Sequence, residues 1–192
     1  GLGDVYKRQP DHIKAVARAR LVVINGLGFE GWMERVVQAA GYRGDIVVAS
    51  DGIAVRDHDD HASHHEQAEH DHQHGKTDPH AWQNPANIVF YTRNIVAALS
   101  KLDPAGASVY YKNGEDYIAR LNELDHWAMQ QFAQIPDGKR KVITSHDAFE
   151  YFGAHYRVHF LAAQGVSTDS KPGASDVASL IRQIRAEKIR AV

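Results

Sequence analysis

The sequence predicts an α/β fold in two lobes, with parallel sheets in the lobes and one long helix joining them. Short apolar runs alternate with helical patterns in the first and last thirds of the 192-residue chain. Such alternation is typical of parallel strands connected by crossover helices. The middle of the chain carries an uninterrupted helical pattern of about seven turns at about 3.6 residues each.

The first lobe is predicted over residues 10–103 and begins with a strand–helix–strand unit. Its apolar runs have the β-branched residues of buried strands, and the segment between them has helical periodicity. The strands are predicted at residues 21–25 and 45–49, and the helix at residues 32–40.

Two further helices are predicted in the middle of the chain. The first begins at Asn84-Pro85, because asparagine is a favoured N-cap and proline fits the first turn. Asp103-Pro104 ends this helix, since proline cannot continue it. The linking helix is predicted over residues 104–136, with its apolar side chains on one face.

The second lobe is predicted over residues 137–192 and is expected to be incomplete. Its strands are predicted at residues 141–144 and 156–161, with a short helix at residues 147–152 between them. A last amphipathic helix is expected over residues 174–187.

Both ends of the chain suggest an internal piece of a longer protein. Residues 1–9 show no periodicity and do not lead into the first helix, while residues 189–192 have the character of an opening strand. We therefore expect a site assembled from distant segments to have members beyond these ends, and a signal peptide to be missing from this fragment.

Composition and charge argue against several classes of protein. The 43% hydrophobic and 24% charged residues are typical of an ordinary globular protein, and a net charge of -2 offers no basic field for nucleic acid. No apolar run approaches the about 18–20 residues that span a bilayer. The chain has no cysteine, which excludes disulfides and thiolate metal sites.

The densest chemical signal is a polar segment at residues 57–76, which we call the histidine-rich segment. It is predicted to be a loop or a disordered insertion, and it interleaves histidines with aspartates and glutamates. Imidazole and carboxylate together suit zinc, copper and nickel, so the segment predicts metal capture, with an incidental solvated loop as the alternative. The candidate ligands of this auxiliary group are His58, His61, His64, His65, His70, His72 and His74.

Two other histidines stand at fixed points of the predicted fold. His80 lies in the motif DPHAW at residues 78–82, where a proline before it and a helix after it fix the backbone as a preorganised ligand requires. His146 follows a predicted strand, at the end of the sheet where open α/β folds bind ligands. The alternatives are a structural histidine at position 80 and, at position 146, a helix start in which Asp147 favours the helix dipole.

The remaining histidines have no supporting motif, and we interpret them as surface or packing residues. They are His12, His126, His155 and His159.

A competing motif is the sequence GLGFEG from Gly26 to Gly31, which matches a dinucleotide-binding fingerprint, with Asp51 further along. Glu30 and Phe29 argue against a nucleotide, because a carboxylate and a bulky ring would stand where a pyrophosphate needs amides. An α/β oxidoreductase stays open as an alternative, and so does a metallohydrolase, although no motif identifies its general base.

The ordered set of these motifs resembles the metal-binding solute receptors of ABC transporters for zinc and manganese, in particular the bacterial periplasmic zinc receptor. The similarity runs from residue 10 to the end of the chain. The segments that carry it, with the histidine-rich segment, are residues 11–31 (DHIKAVARARLVVINGLGFEG), 78–85 (DPHAWQNP), 144–152 (TSHDAFEYF) and 165–192.

The resemblance implies a fold of two α/β lobes joined by one long helix, and one metal ion in the cleft between them. By position, His80 matches the ligand of the first lobe and His146 that of the second. The family's first histidine would lie upstream of Asp11 and its late carboxylate beyond Val192.

The resemblance also implies a function in transport and no enzymatic activity. The protein would be a periplasmic monomer that captures zinc and delivers it to an ABC-type permease. The histidine-rich segment favours zinc, because imidazole suits zinc better than the harder manganese ion, and manganese is the alternative. Neutral imidazole ligands imply that affinity falls as the pH drops through about 6.5.

Overall fold

The computed structural model describes residues 11–56 and 77–164, together with residues 177–178, 181–182 and 184–185. The histidine-rich segment lies outside these residues, and so does the strand predicted to open at residues 189–192. Of the last predicted helix, the six residues described are all helical.

Strands and helices alternate along the described chain, as the sequence predicts. The strands are β1 (Leu21–Ile24), β2 (Asp45–Val48), β3 (Lys141–His146) and β4 (His159–Gln164). The helices are α1 (residues 11–18), α2 (Met33–Ala39), α3 (Pro85–Leu102), α4 (Ala107–Ala133) and α5 (Glu150–Tyr156). Short 3-10 turns lie at Ala81–Gln83, Pro104–Gly106 and Asp137–Lys139.

The chain divides into two compact units, each made of two stretches of sequence. The first unit holds Gly1–Ile53 and Val89–Ala119, and the second holds Ala54–Ile88 and Arg120–Val192. The lobe boundaries at residues 10–103 and 137–192, with a linker at 104–136, stay a prediction.

In the first unit, β1 and β2 pair in parallel with α2 as their connection. Helix α3 fixes the ends of these strands through polar side chains. The amide of Asn94 donates to the carbonyl oxygens of Ala49 and Asp51, both at 2.9 Å, and the hydroxyl of Tyr91 donates to the Asn25 side chain at 2.6 Å. The residues that follow each strand are therefore held by α3.

Helix α3 begins where the sequence predicts. The side-chain oxygen of Asn84 accepts from the backbone N–H of Ala86 at 3.0 Å, and Pro85 is the first helical residue. One of the backbone donors that a helix start leaves unpaired is thereby satisfied, as expected of an asparagine N-cap.

In the second unit, β3 and β4 pair in parallel, with Lys141 opposite His159, and α5 connects them. Gly153 lets α5 lie close to the sheet, since a Cβ at this position would stand 2.6 Å from the carbonyl oxygen of Val158. The core is formed by buried Ala128, Tyr156 and Val158 with half-buried Phe132, Val142, Phe152 and Phe160.

The boundary between α5 and β4 differs from the prediction. The sequence places a strand over residues 156–161, but Tyr156 ends the helix and the strand begins at His159. Tyr156 stacks on Phe132 at 5.2 Å and meets Phe152, one helical turn earlier, at 4.6 Å. Arg157 then adopts a left-handed φ of 58°, which terminates the helix.

Mixed α/β structure with parallel strand pairs and one long helix confirms the predicted fold class. Among the residues described, no helix is both long and apolar enough to cross a bilayer.

Candidate metal site

His80 is held by Asp78, two residues before it in the chain. Its backbone N–H donates to the Oδ1 atom of Asp78 at 2.9 Å, and its ring Nδ1 lies 2.7 Å from the same oxygen. Asp78 is fully buried and His80 is 7% exposed. An ionised carboxylate only accepts hydrogen bonds, so beside an ionised Asp78 a neutral His80 ring carries its proton on Nδ1 and its lone pair on Nε2.

His146 is the last residue of β3, at the carboxyl end of the parallel pair. The hydroxyl of Thr144 donates to the backbone carbonyl of His146 at 2.9 Å, which fixes the backbone where the strand ends. The predicted helix start at Asp147 is wrong, since α5 begins at Glu150. His146 therefore ends a strand of the sheet and does not introduce a helix.

The second unit brings the two predicted histidines together. The ring centres of His80 and His146 lie 5.4 Å apart with the planes tilted by 58°. With Zn–N bonds of about 2.0–2.1 Å, two imidazoles on one tetrahedral ion would have ring centres about 5 Å apart. The spacing therefore suits a shared metal ion.

A third ligand is not found in the described part of the chain, where no group of three histidine, aspartate or glutamate side chains is placed to hold an ion. The predicted auxiliary ligands, from His58 to His74, lie outside the described residues.

The structure shows how the residues that flank the histidine-rich segment are joined, which the sequence does not reveal. The backbone N–H of Asp78 donates to the carbonyl of Arg56 at 3.1 Å. The hydroxyl of buried Tyr151 accepts from the N–H of Arg56 at 3.1 Å and donates to the carbonyl of Asp78 at 3.2 Å. We call these three residues the stem.

Among the other histidines, His12, His126 and His159 are exposed, as expected of surface residues. His155 instead belongs to a polar cluster that the sequence analysis missed. Its Nε2 and the hydroxyl of Tyr156 each lie 2.7 Å from the Oδ1 atom of Asp125. No motif could have revealed this cluster, because about 30 residues separate its members in sequence.

The cluster makes the stability of the protein sensitive to high pH. Burial first, and then the hydrogen bond and negative charge of Asp125, raise the pKa of Tyr156 well above the usual 10.0. An unfolded phenol ionises near pH 10, so the stability contributed by Tyr156 is complete below that pH and is lost as the pH rises further. We expect the free energy of unfolding to fall with pH above about 10 more steeply in the native chain than in Tyr156→Phe.

Urea unfolding at about pH 9, 10 and 11 would measure this difference. Tyr117→Phe, at a half-exposed position, is the matched control and should keep the native slope. Equal slopes in all three proteins would contradict the role of Tyr156.

The glycine-rich turn is not a pyrophosphate site. The carboxylate of Glu30 accepts from the backbone N–H of Asn25 at 2.6 Å and from that of Gly26 at 3.1 Å. Two backbone amides at this turn are thus already bonded to a carboxylate of the chain itself, whose negative charge would repel a phosphate. This finding removes the basis for the nucleotide-dependent oxidoreductase.

Comparisons with known proteins agree with the predicted family. The family model described as "Zinc-uptake complex component A periplasmic" matches residues 4–192. The manganese-binding lipoprotein MntA of Bacillus subtilis is 32% identical over 98% of this chain and 58% of its own length.

Solved structures of TroA have the same fold. One of them comes from a study of the metal binding specificity of TroA. It is 30% identical in sequence with a TM-score of 0.76, and the match covers 92% of this chain and 59% of the TroA chain. The periplasmic zinc binding protein TroA from Treponema pallidum also has a TM-score of 0.76, over 92% of this chain and 60% of its own, and at 24% identity it supports the fold alone. The chain spans somewhat less than two thirds of the length of the proteins it matches.

Proposed function

We propose that this chain captures a divalent metal ion, zinc in particular, for delivery to an ABC-type membrane permease. The premise is that the chain belongs to the family of the periplasmic component A of zinc-uptake complexes. The family consists of metal-binding transport receptors and not of enzymes. The chain would accordingly bind its cargo outside the cytoplasm, in the periplasm and as a monomer, and release it unchanged.

The observation that carries this proposal is the approach of His80 and His146 to a ring-centre distance of 5.4 Å. Two neutral imidazoles at this spacing offer two nitrogen donors to one ion. Their partners support binding, because Asp78 holds the ring of His80 through Nδ1, which leaves Nε2 as the ligand atom, and Thr144 fixes the backbone at His146.

Zinc is the proposed cargo although relatives include the manganese-binding lipoprotein MntA. Nitrogen ligands suit zinc, whereas manganese prefers carboxylate and carbonyl oxygen. A pair of histidines, with a histidine-rich segment between residues 57 and 76, therefore supports zinc over manganese. The remaining ligands would come from residues upstream of Asp11 and beyond Val192.

The histidine-rich segment would collect zinc and raise its supply near the two histidines. The stem holds Arg56, which precedes this segment, against Asp78, which follows it and lies two residues before His80. The residues that flank the segment are therefore fixed next to the proposed site.

The proposal is tested by metal titration of a chain in which residues 57–76 are replaced by Gly-Gly. Because the backbones of Arg56 and Asp78 are already hydrogen-bonded, the three residues Gly-Gly-Thr77 can close the stem as a short loop. We expect this chain to bind one zinc ion, measured by chelator competition, and to prefer zinc over manganese when the two compete. The native chain should bind additional zinc through the segment.

Two results would count against the proposal. Equal or tighter binding of manganese would reject zinc as the cargo and leave metal capture in place. Loss of all metal binding on replacement of the segment would show that His80 and His146 do not hold an ion in this chain without the histidine-rich segment, and would count against them as its principal site.

A further inference from the structure

Asp78 is a buried carboxylate whose described hydrogen bonds leave one oxygen unused. Its side chain is fully buried, and its Oδ1 atom accepts the backbone N–H of His80 and lies 2.7 Å from the ring Nδ1 of the same residue. Oδ2 is buried, and none of the residues that the structure describes forms a hydrogen bond with it. A buried carboxylate in this condition destabilises the protein unless positive charge compensates it.

A purely structural role would not require the negative charge. The hydrogen bond from the backbone N–H of His80 to the side chain of Asp78 forms an Asx turn, which asparagine makes equally well. The charge acts instead on the ring, because a carboxylate at Nδ1 holds the proton there and makes Nε2 a stronger donor. A cation bound at Nε2 would in turn compensate the buried charge.

We infer that Asp78 is a positioning residue for metal binding, which fixes the tautomer and orientation of His80 and supplies the negative charge that a cation on Nε2 compensates. The inference rests on the proposed function, since it takes His80 as a ligand. It predicts that removing the charge of Asp78 weakens metal binding but does not lower the stability of the metal-free protein.

The test is Asp78→Asn in the full chain, compared with the native chain. The tautomer of His80 is observed by long-range ¹H–¹⁵N NMR at about pH 8, above the usual imidazole pKa of about 6.5. The signal is assigned with His80→Ala. We expect Nδ1–H in the native zinc-free chain and a substantial Nε2–H population in Asp78→Asn.

The same signal reports zinc binding at this site alone when chelator buffers fix the free zinc concentration. We expect the midpoint for Asp78→Asn to move to about 10–100-fold higher free zinc. The melting temperature of the zinc-free variant should not fall, because an uncompensated buried charge has been removed.

Tyr151→Phe is the matched control. It removes a buried hydrogen bond to the backbone carbonyl of Asp78 and leaves the carboxylate in place. We expect a lower melting temperature with the native tautomer and zinc midpoint. If Asp78→Asn also lowered the melting temperature and kept the native tautomer and zinc midpoint, Asp78 would serve only the turn, and the inference would be overturned.

Two further outcomes are distinguishable. If the native zinc-free chain shows Nε2–H on His80, the inference is wrong even where Asp78→Asn does not fold. If the native tautomer is Nδ1–H but zinc leaves the His80 signal unchanged, the proposed function fails, and the inference fails with it.

Discussion

Zinc binding by the chain with residues 57–76 replaced is expected to disappear when His80 and His146 are both changed to alanine. Structural zinc sites with four ligands gain about 10–16 kcal/mol, so each histidine is expected to contribute about 3 kcal/mol, or roughly 100-fold in affinity. Each single substitution should therefore weaken binding by about 100-fold, and the pair should bring it below detection in chelator competition.

The control for this experiment is the pair His126→Ala and His159→Ala. Both side chains are exposed, so the substitutions remove the same number of imidazoles from the chain without touching the proposed site. We expect native zinc affinity from this pair. If the variant with His80→Ala and His146→Ala still bound zinc, the zinc site would lie elsewhere in the chain. A circular dichroism spectrum would check that this variant is folded.

The second large effect concerns stability and is expected for Phe152→Ala. The ring of Phe152 makes edge contacts with Phe132 at 5.5 Å, Tyr156 at 4.6 Å and Phe160 at 5.9 Å. Removing a fully buried phenylalanine deletes apolar contact and leaves a cavity, at a cost of about 3–5 kcal/mol. For the half-buried ring of Phe152 we expect a cost near the lower end of this range. Because α5 and β4 both join this cluster, we expect the second unit to unfold at markedly lower urea concentration.

Trp127→Ala is the control, because the Trp127 side chain is 59% exposed on α4. A surface substitution of this kind should change the free energy of unfolding by about 0.5 kcal/mol or less. Urea titration followed by circular dichroism measures both variants. A similar midpoint for the two would mean that the aromatic cluster does not hold the second unit together.

Elements whose signals are local were predicted well from the sequence. Strands β1 and β2 lie within one residue of their predicted ends, and α3 begins at Pro85, because β-branched runs and an asparagine cap act over a few residues. The start of β4 was wrong by three residues, since the packing of Tyr156 on Phe132 from a distant helix decides that boundary. The strand propensity of the neighbouring residues carries no information about a contact with a residue so far away in the sequence.

The same distinction holds for the candidate site. His80 and His146 could each be selected from a local motif, but their approach depends on the fold and not on spacing in sequence. The aspartate before His80 was visible in the motif, yet its bond to the ring nitrogen was not. The contribution of Tyr151 to the stem, 73 residues from Asp78, had no sequence signal at all.

The stem also has a consequence for the entropy of the chain. Where two ends are already fixed side by side, the closure cost of an inserted flexible segment grows only with the logarithm of its length, by about 0.6 kcal/mol for each doubling. Arg56 and Asp78 are held in this way by one backbone bond and one tyrosine hydroxyl. The fold can therefore accept inserts of very different length at this point, which makes it a natural place for evolution, or for protein engineering, to attach new sequence.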